Sequence, residues 1–477
     1  MPLSVPLSSR FRYRIGIIVD HPKRDLLGGA MICHALANRG VETVLVPMYE
    51  QGVDVPLLGL DALVINYARP ANIELARGYF NSGLPVWVLD TEGGVLSNNG
   101  ANSPQKLAAY FRESGWSNLL AGYFFWGQTL RDAFAFEGAM PEQQLHVTGC
   151  PRFDWTAPQW RDILHNANDG YILVNTNFPL VNPLFVQSSE VELGVLVSAG
   201  WQRSYVTQMI SETRSILANY IASIARVAER LPEQRFLVRP HPFESADLYR
   251  QEFGKLSNVK VDGTGSVLNA IRNAECVLHL NCGTSIEAIM LNKLPISMEF
   301  LNTPFMRSLT SLPSKISHQV YTEEELVALL STLRAAQTDF NFSSRYKDLI
   351  APWFHQNDGR AAERVADSLL LALDGRSSRT PSLTRSLASS LRAPRPTQYL
   401  QATVSNILGS LLVSQIRALA QPARRTKQLH VGEIAKLVTA LEQKVSGTSR
   451  NLVMRARHPI TGMPLASVMV QPTHGVL

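Results

Sequence analysis

The 477-residue chain has no run near the ~18 consecutive apolar residues that cross a bilayer as a helix. Its four cysteines (Cys33, Cys150, Cys276, Cys282) form no CxxC pair and no disulfide framework, which fits a reducing compartment. Arg10, Arg12 and Arg14 precede only one short apolar segment, Ile15 to Val19, too short for the core of a secretion signal. Residence in the cytoplasm is therefore expected. The P-loop GxxxxGK[ST], GxGxxG, HExxH and GxSxG patterns are all missing, and with them the chemistries they mark. There is no Asp-x-Asp, and the 11 histidines show no metal spacing, so neither a metal nor a resident cofactor is expected.

What is present is ordinary for a folded chain: 45% hydrophobic and 18% charged residues, with 30 Gly and 27 Pro. That composition excludes a mostly disordered, collagenous or coiled-coil protein. Charge is unevenly spread. From Arg376 onward there are 14 Lys and Arg against 2 Asp and Glu; residues 1–375 hold 31 against 37. The net charge of +6 thus belongs to the C-terminal quarter. An anionic membrane surface or nucleic acid suits such a region. Nucleic acid is the less favoured, because no nucleic-acid module is recognisable and Tyr399 is the region's one aromatic residue.

Short apolar runs alternate with helical patterns along residues 14–148: strands at 14–20, 41–47, 60–67, 84–91, 123–126 and 145–148, with helices between them. Near-continuous apolar strands of this kind imply a parallel, doubly wound sheet. The pattern restarts after Asp154, with strands at 169–175, 235–239, 258–262, 275–280 and 294–299 and a long helix over 204–230. The expected class is α/β, with two Rossmann-like domains facing across a cleft. Domain one covers 1–155 and domain two covers 156–375. A Ser/Arg/Pro-rich linker follows at 376–398, then a basic helical extension at 399–477.

Five segments fall at expected strand ends, where such sheets bind ligands. In Arg239-Pro240-His241-Pro242 two prolines restrict the backbone around an imidazole suited to a phosphate; a locally satisfied histidine is the simpler reading. Asn281-Cys282-Gly283-Thr284-Ser285-Ile286-Glu287 opens a helix after a buried strand. Its amides and hydroxyls suit an anion, and Glu287 a ribose diol, although a plain helix cap has the same composition. Asp90-Thr91-Glu92-Gly93-Gly94 offers carboxylates that accept a proton or hold a sugar, or simply make a polar turn. In Gly149-Cys150-Pro151-Arg152-Phe153-Asp154, Asp154 is placed to reach the cleft and Arg152 to bind an acidic sugar or a phosphate; a salt-bridged hinge is the alternative. Asn177, in Asn175-Thr176-Asn177-Phe178, is a further ligand contact or part of a turn. Gly28-Gly29, inside a helix pattern, reads as close packing.

Taken in order, the His-Pro and Thr-Ser segments resemble the donor-binding half of GT-B glycosyltransferases. The nearest resemblance is to bacterial surface-carbohydrate-biosynthesis enzymes: capsule and O-antigen (lipopolysaccharide) transferases of the β-Kdo type and, more distantly, polysialyltransferases. Lys23-Arg24-Asp25-Leu26, Asp90 to Gly94, Gly149 to Asp154 and Ile172 to Asn177 share it, and it covers about residues 12–370. The resemblance implies a nucleotide-sugar donor in domain two, such as CMP-Kdo, and a saccharide or lipid-linked acceptor in domain one. It implies that His241, Thr284 and Ser285 hold the nucleotide phosphate, with Arg239, Pro242, Asn177, Gly283 and Glu287 around them and no metal. Relatives carry an acidic-acidic-glycine segment where this chain has Thr91-Glu92-Gly93, so the catalytic carboxylate is Glu92 or Asp90. Retention of configuration would instead make Asp154 or Glu92 the nucleophile. A nucleotide-sugar epimerase, a polyol-phosphate transferase and a non-catalytic assembly protein are the alternatives. Surface-polysaccharide assembly also implies peripheral attachment at the inner face of the plasma membrane.

Overall fold

The computed structural model describes residues 12–93, 103–164, 170–185, 188–198, 202–375, 396–447 and 450–473. The chain forms two compact units, each with its own parallel α/β sheet.

The first unit carries β1 (Arg14–Val19), β2 (Glu42–Pro47), β3 (Ala62–Ile65), β4 (Val86–Leu89), β5 (Gly122–Phe125) and β6 (Leu145–Val147). These six are parallel, in the order β2-β1-β3-β4-β5-β6. All six match the apolar runs read from the sequence. β1 to β5 are buried on both faces because helices cover both faces of a parallel sheet, while the edge strand β6 has His146 and Val147 half-buried. The helix Pro22–Ala37 starts with proline in its first turn and stops before Gly40, whose φ of 71° few other residues would tolerate. Gly28 and Gly29 do serve close packing. A Cβ on Gly28 would sit 3.1 Å from the Arg152 nitrogen, and one on Gly29 would lie 3.2 Å from Leu45 Cδ2.

The second unit carries β7 (Tyr171–Asn175), β8 (Phe236–Arg239), β9 (Val259–Val261), β10 (Ala274–His279), β11 (Leu294–Met298) and β12 (His318–Val320). Its order is β12-β11-β10-β7-β8-β9, again all parallel. The long helix spans Arg203–Arg230 and buries Val206, Ile216, Tyr220, Ile224 and Val227. Of its six strands, only the three-residue β12 escaped the sequence reading.

The C-terminal third differs from expectation in two ways. The second unit ends at Asn357, so the helix Ala361–Leu373, expected in domain two, belongs to the first unit and packs on the helix Pro22–Ala37. The region expected as a basic helical extension is helical at Pro396–Leu408, Ser410–Ala420 and Val431–Ser446, but it ends in a hairpin, β13 (Asn451–Arg457) and β14 (Pro464–Pro472). β14 pairs antiparallel with β2, Val468 opposite Leu45 and Val470 opposite Thr43, giving the first sheet eight strands. Residues 376–395 of the expected linker lie outside the described residues, and Pro396 already begins a helix. The hairpin was missed because β14 is covered on both faces and so lacks the alternation that marks a half-buried strand.

A buried carboxylate ties this return to the sheet. Asp54, on the helix Gln51–Leu57, is fully buried and accepts from the Ser467 amide at 3.0 Å and its hydroxyl at 2.6 Å. Asp54→Ala strands both buried donors, and the expected loss is about 2–3 kcal/mol of unfolding free energy, read from urea titration.

Candidate functional site

In the second sheet the chain runs outward from β7 through β8 to β9, then returns to the other side of β7 as β10. The switch point therefore lies between β7 and β10, where open α/β sheets bind ligands beyond the strand C-termini. Asn175, Thr176 and Asn177 leave β7 there, Arg239 to Pro242 leave the neighbouring β8, and Asn281 to Thr284 leave β10. Asn175 Nδ2 donates to Thr284 Oγ1 across the switch point at 2.9 Å. Three of the predicted segments thus meet at one sheet edge.

His241 is half-buried and held from several sides. Its amide donates to Thr176 Oγ1 at 3.2 Å, and its Nδ1 accepts from the Phe243 amide at 3.3 Å. An accepting Nδ1 puts the proton of the neutral ring on Nε2, which makes that nitrogen a donor. Pro242 is half-buried beside it, and Asn177 is exposed.

The organiser of this loop is Glu244, absent from the sequence reading. It is 3% exposed. One oxygen accepts from the Thr176 hydroxyl at 2.8 Å and the other from the Phe178 amide at 2.6 Å; the Tyr249 hydroxyl also donates to it. Glu244 therefore joins the segment after β7 to the His241 loop. Burial raises its pKa, opposed by these donors. The signal was there, an acidic residue three positions after His241, but only the fold shows that it points inward.

Four expected contributors do something else. Arg239 donates to the Thr264 and Gly265 carbonyls, each at 2.6 Å, so two of its nitrogens brace the loop after β9 instead of meeting a phosphate. The Ser285 hydroxyl is wholly buried and donates to the Cys282 carbonyl at 3.0 Å. Glu287 is buried, not displayed to a ribose. Two of the helix-start amides are consumed as well: Ser285 N donates to Cys282 O at 3.2 Å and Ile286 N to Gly283 O at 3.0 Å. The chain tightens into i→i+3 bonds at this seven-residue helix, Thr284–Met290, which satisfies these two donors internally. Half-buried Gly283 and Thr284 remain at the edge of the cluster.

The first sheet has its own switch point, between β1 and β3, and a small recess of about 50 Å³ opens there. Its floor is apolar, with Ile17, Val64 and Leu89, and Trp126 stands at its side; Asp25, Asn66, Asp90, Thr91 and Arg152 supply the polar lining. Asp90 is 2% exposed, pairs with Arg69 at 2.9 Å, and accepts from the Glu92 amide at 2.9 Å. Glu92 is exposed, with Arg24 at 3.2 Å from its carboxylate. Arg24 also binds Asp20 at 2.6 Å and Asp25 at 2.7 Å, and Lys427, from the C-terminal region, reaches Asp20 at 2.6 Å. Burial opposes ionisation of Asp20, but the two cations hold its pKa below the usual value. Arg152 lies over the rings of Trp126 (5.6 Å) and Phe153 (4.7 Å). Arg69, Asn66, Trp126, Asp20 and Lys427 were not singled out from the sequence, because nothing local marks them.

Asp154 was expected to reach the cleft. Instead it is 3% exposed, and its two oxygens accept from the Ala361 and Ala362 amides at 2.9 and 2.8 Å. It holds the start of the helix Ala361–Leu373, and burial pushes its pKa up to about 7 despite those amides. A carboxylate spent this way is no nucleophile.

Three outcomes are expected. Glu244→Gln replaces an acceptor with a donor in a buried network and lowers stability by about 1–3 kcal/mol in chemical denaturation. Asp154→Ala costs about 1–2 kcal/mol by the same measurement, as the loss of a helix cap does. His279, fully buried, donates from Nε2 to Ser317 Oγ (2.8 Å), whose own hydroxyl donates to the Pro313 carbonyl, and burial lowers its pKa to about 4. As pH falls from ~6.5 toward 4, the unfolded chain takes up a proton that folded His279 refuses, so stability falls. His279→Gln removes about one proton from that pH dependence, read from denaturant titrations across this range.

No protein-family model and no curated protein sequence matches the chain. Among solved structures it is similar to the UDP-GlcNAc 2-epimerase of Methanocaldococcus jannaschii in complex with UDP-GlcNAc and UDP, at 14% identity and TM-score 0.47, over 75% of this chain and 99% of that one. It is similar also to the UDP-GlcNAc 2-epimerase of Neisseria meningitidis, at 11% identity and TM-score 0.46, over 75% and 99%. A third is the wall teichoic acid polymerase TagF, at 11% identity and TM-score 0.47, over 77% and 91%. Likeness of this degree assigns neither activity nor substrate.

Proposed function

We propose that the chain is a glycosyltransferase that moves a sugar from a nucleotide-sugar donor to a saccharide acceptor of a surface polysaccharide. The observation that carries this reading is the grouping of Asn175, Asn177, His241 and Thr284 at the switch point of the second sheet. There the nucleotide phosphate receives a hydrogen bond from His241 Nε2 and from the polar side chains beside it. The recess of the first unit takes the acceptor: an apolar floor and Trp126 suit the faces of a sugar ring, and Arg152 suits an acidic sugar such as Kdo.

In the reaction the acceptor oxygen bonds to the anomeric carbon as the bond from that carbon to the phosphate oxygen breaks. The leaving nucleotide keeps the electron pair, and the His241 N–H stabilises the charge that develops on it. Glu92 takes the acceptor proton. It is the exposed carboxylate of the pair, whereas Asp90 is buried against Arg69 and shapes the turn that presents Glu92. An epimerase of similar fold is the second reading; it needs one substrate only, and the recess beside Glu92 favours the transferase.

A panel of CMP, CDP and UDP, scored by thermal shift, tests the donor site. A nucleotide at 100 times its dissociation constant adds about 2.7 kcal/mol of stability, and His241→Ala abolishes that gain. Product analysis by mass spectrometry, with and without saccharide acceptors, separates transfer from epimerisation. Glu92→Gln is expected to slow transfer by about 10²–10⁴-fold while leaving the nucleotide shift intact. If no nucleotide stabilises the protein at millimolar concentration, the reading fails.

A further inference from the structure

The helices Pro396–Leu408 and Ser410–Ala420 expose a run of large aliphatic residues. In the second of them the buried positions hold Ser410, Val413, Ser414 and Ala418. The outward positions hold Leu412, Ile416 and Leu419, spaced i, i+4, i+7 on one face. The helix before it buries Ser405 and Asn406 and exposes Leu400, Ile407 and Leu408. These six aliphatic side chains are 41–76% exposed, and they fall within twenty residues of chain. Small inward residues let the helix lie close on β14, which fixes the face that remains and keeps it outward. Exposed aliphatics gathered this way mark an interaction surface.

Charge selects the occupant. Residues 376–430 contain nine Lys or Arg and no Asp or Glu. Arg424 and Lys427 are taken by Glu50 and Asp20, while Arg425 is exposed. A second copy of the chain would bring these cations against themselves. A surface that is apolar beneath and anionic above satisfies both properties, and helices with one aliphatic face and basic flanks lie in such an interface. The helices do not cross it, since among the described residues none is long and apolar enough. We infer that the face formed by Leu400, Ile407, Leu408, Leu412, Ile416 and Leu419 docks the protein on an anionic lipid monolayer, with exposed Arg425 meeting the headgroups. The segment leaving this face reaches Lys427, which pairs with Asp20 beside the recess of the same unit.

The test is co-sedimentation of the full chain with vesicles of phosphatidylcholine alone or mixed with phosphatidylglycerol. Binding is expected to the mixed vesicles and to weaken with added salt. Leu412→Ser/Ile416→Ser/Leu419→Ser, all at exposed positions, is expected to weaken it by more than about tenfold with an unchanged melting temperature. Arg425→Ala is expected to weaken it about fivefold, the share of one near-surface charge. The inference is overturned if the chain ignores both kinds of vesicle, or if the triple variant binds as the parent does. It is equally overturned if the triple variant's sole effect is to abolish a dimer in sedimentation velocity, which would make the face a contact between copies. None of these readouts depends on nucleotide binding, so they stand or fall apart from the glycosyltransferase reading.

Discussion

A parallel strand covered on both faces has nowhere to place polar side chains except at its ends. That constraint shapes both units. The central strands of both sheets are built from apolar runs, and polar residues that follow them collect where each sheet's strand order reverses. Asp90 and Asn66 owe their position to β4 and β3, and His241 and Asn175 to β8 and β7, rather than to any local motif.

Buried carboxylates then do structural duty that an exposed motif would not suggest. Asp154 holds a helix start, Glu244 joins two strand-end loops, and Asp54 fastens the C-terminal hairpin. Each is buried and surrounded by donors, which is how a protein interior tolerates such a group. Acidic residues near a site therefore divide by exposure. Glu92 is outside and disposable to the fold, whereas Asp90 and Asp154 are inside and occupied.

The C-terminal region changes character once the sheet is assembled. Part of it is framework, since β14 covers the edge of β2 that would otherwise stand unpaired. Part of it reaches the loops after β1 and β2, through Lys427, which pairs with Asp20, and through Arg424, which lies over Tyr49 at 4.4 Å and pairs with Glu50. Basic composition alone reads as a solvated tail; in the folded chain two of those cations are committed to carboxylates of the first unit.

The sequence by itself determined the class of fold, because apolar runs of strand length and helical spacings are local signals: eleven of the twelve parallel strands stand where the runs are. It also marked His241, Thr284, Asn177 and Glu92 as residues at strand or helix ends. Only the tertiary structure decided which polar groups are spent. Arg239, Ser285 and Asp154 look as available in the sequence as His241 does, and Glu244 and Arg69 look like ordinary surface charges. Whether a donor meets a ligand or a carbonyl depends on partners tens or hundreds of positions away, as with Asp154 and Ala361, and periodicity does not encode them. For the same reason β14 was invisible: its register and burial come from β2, more than four hundred residues upstream.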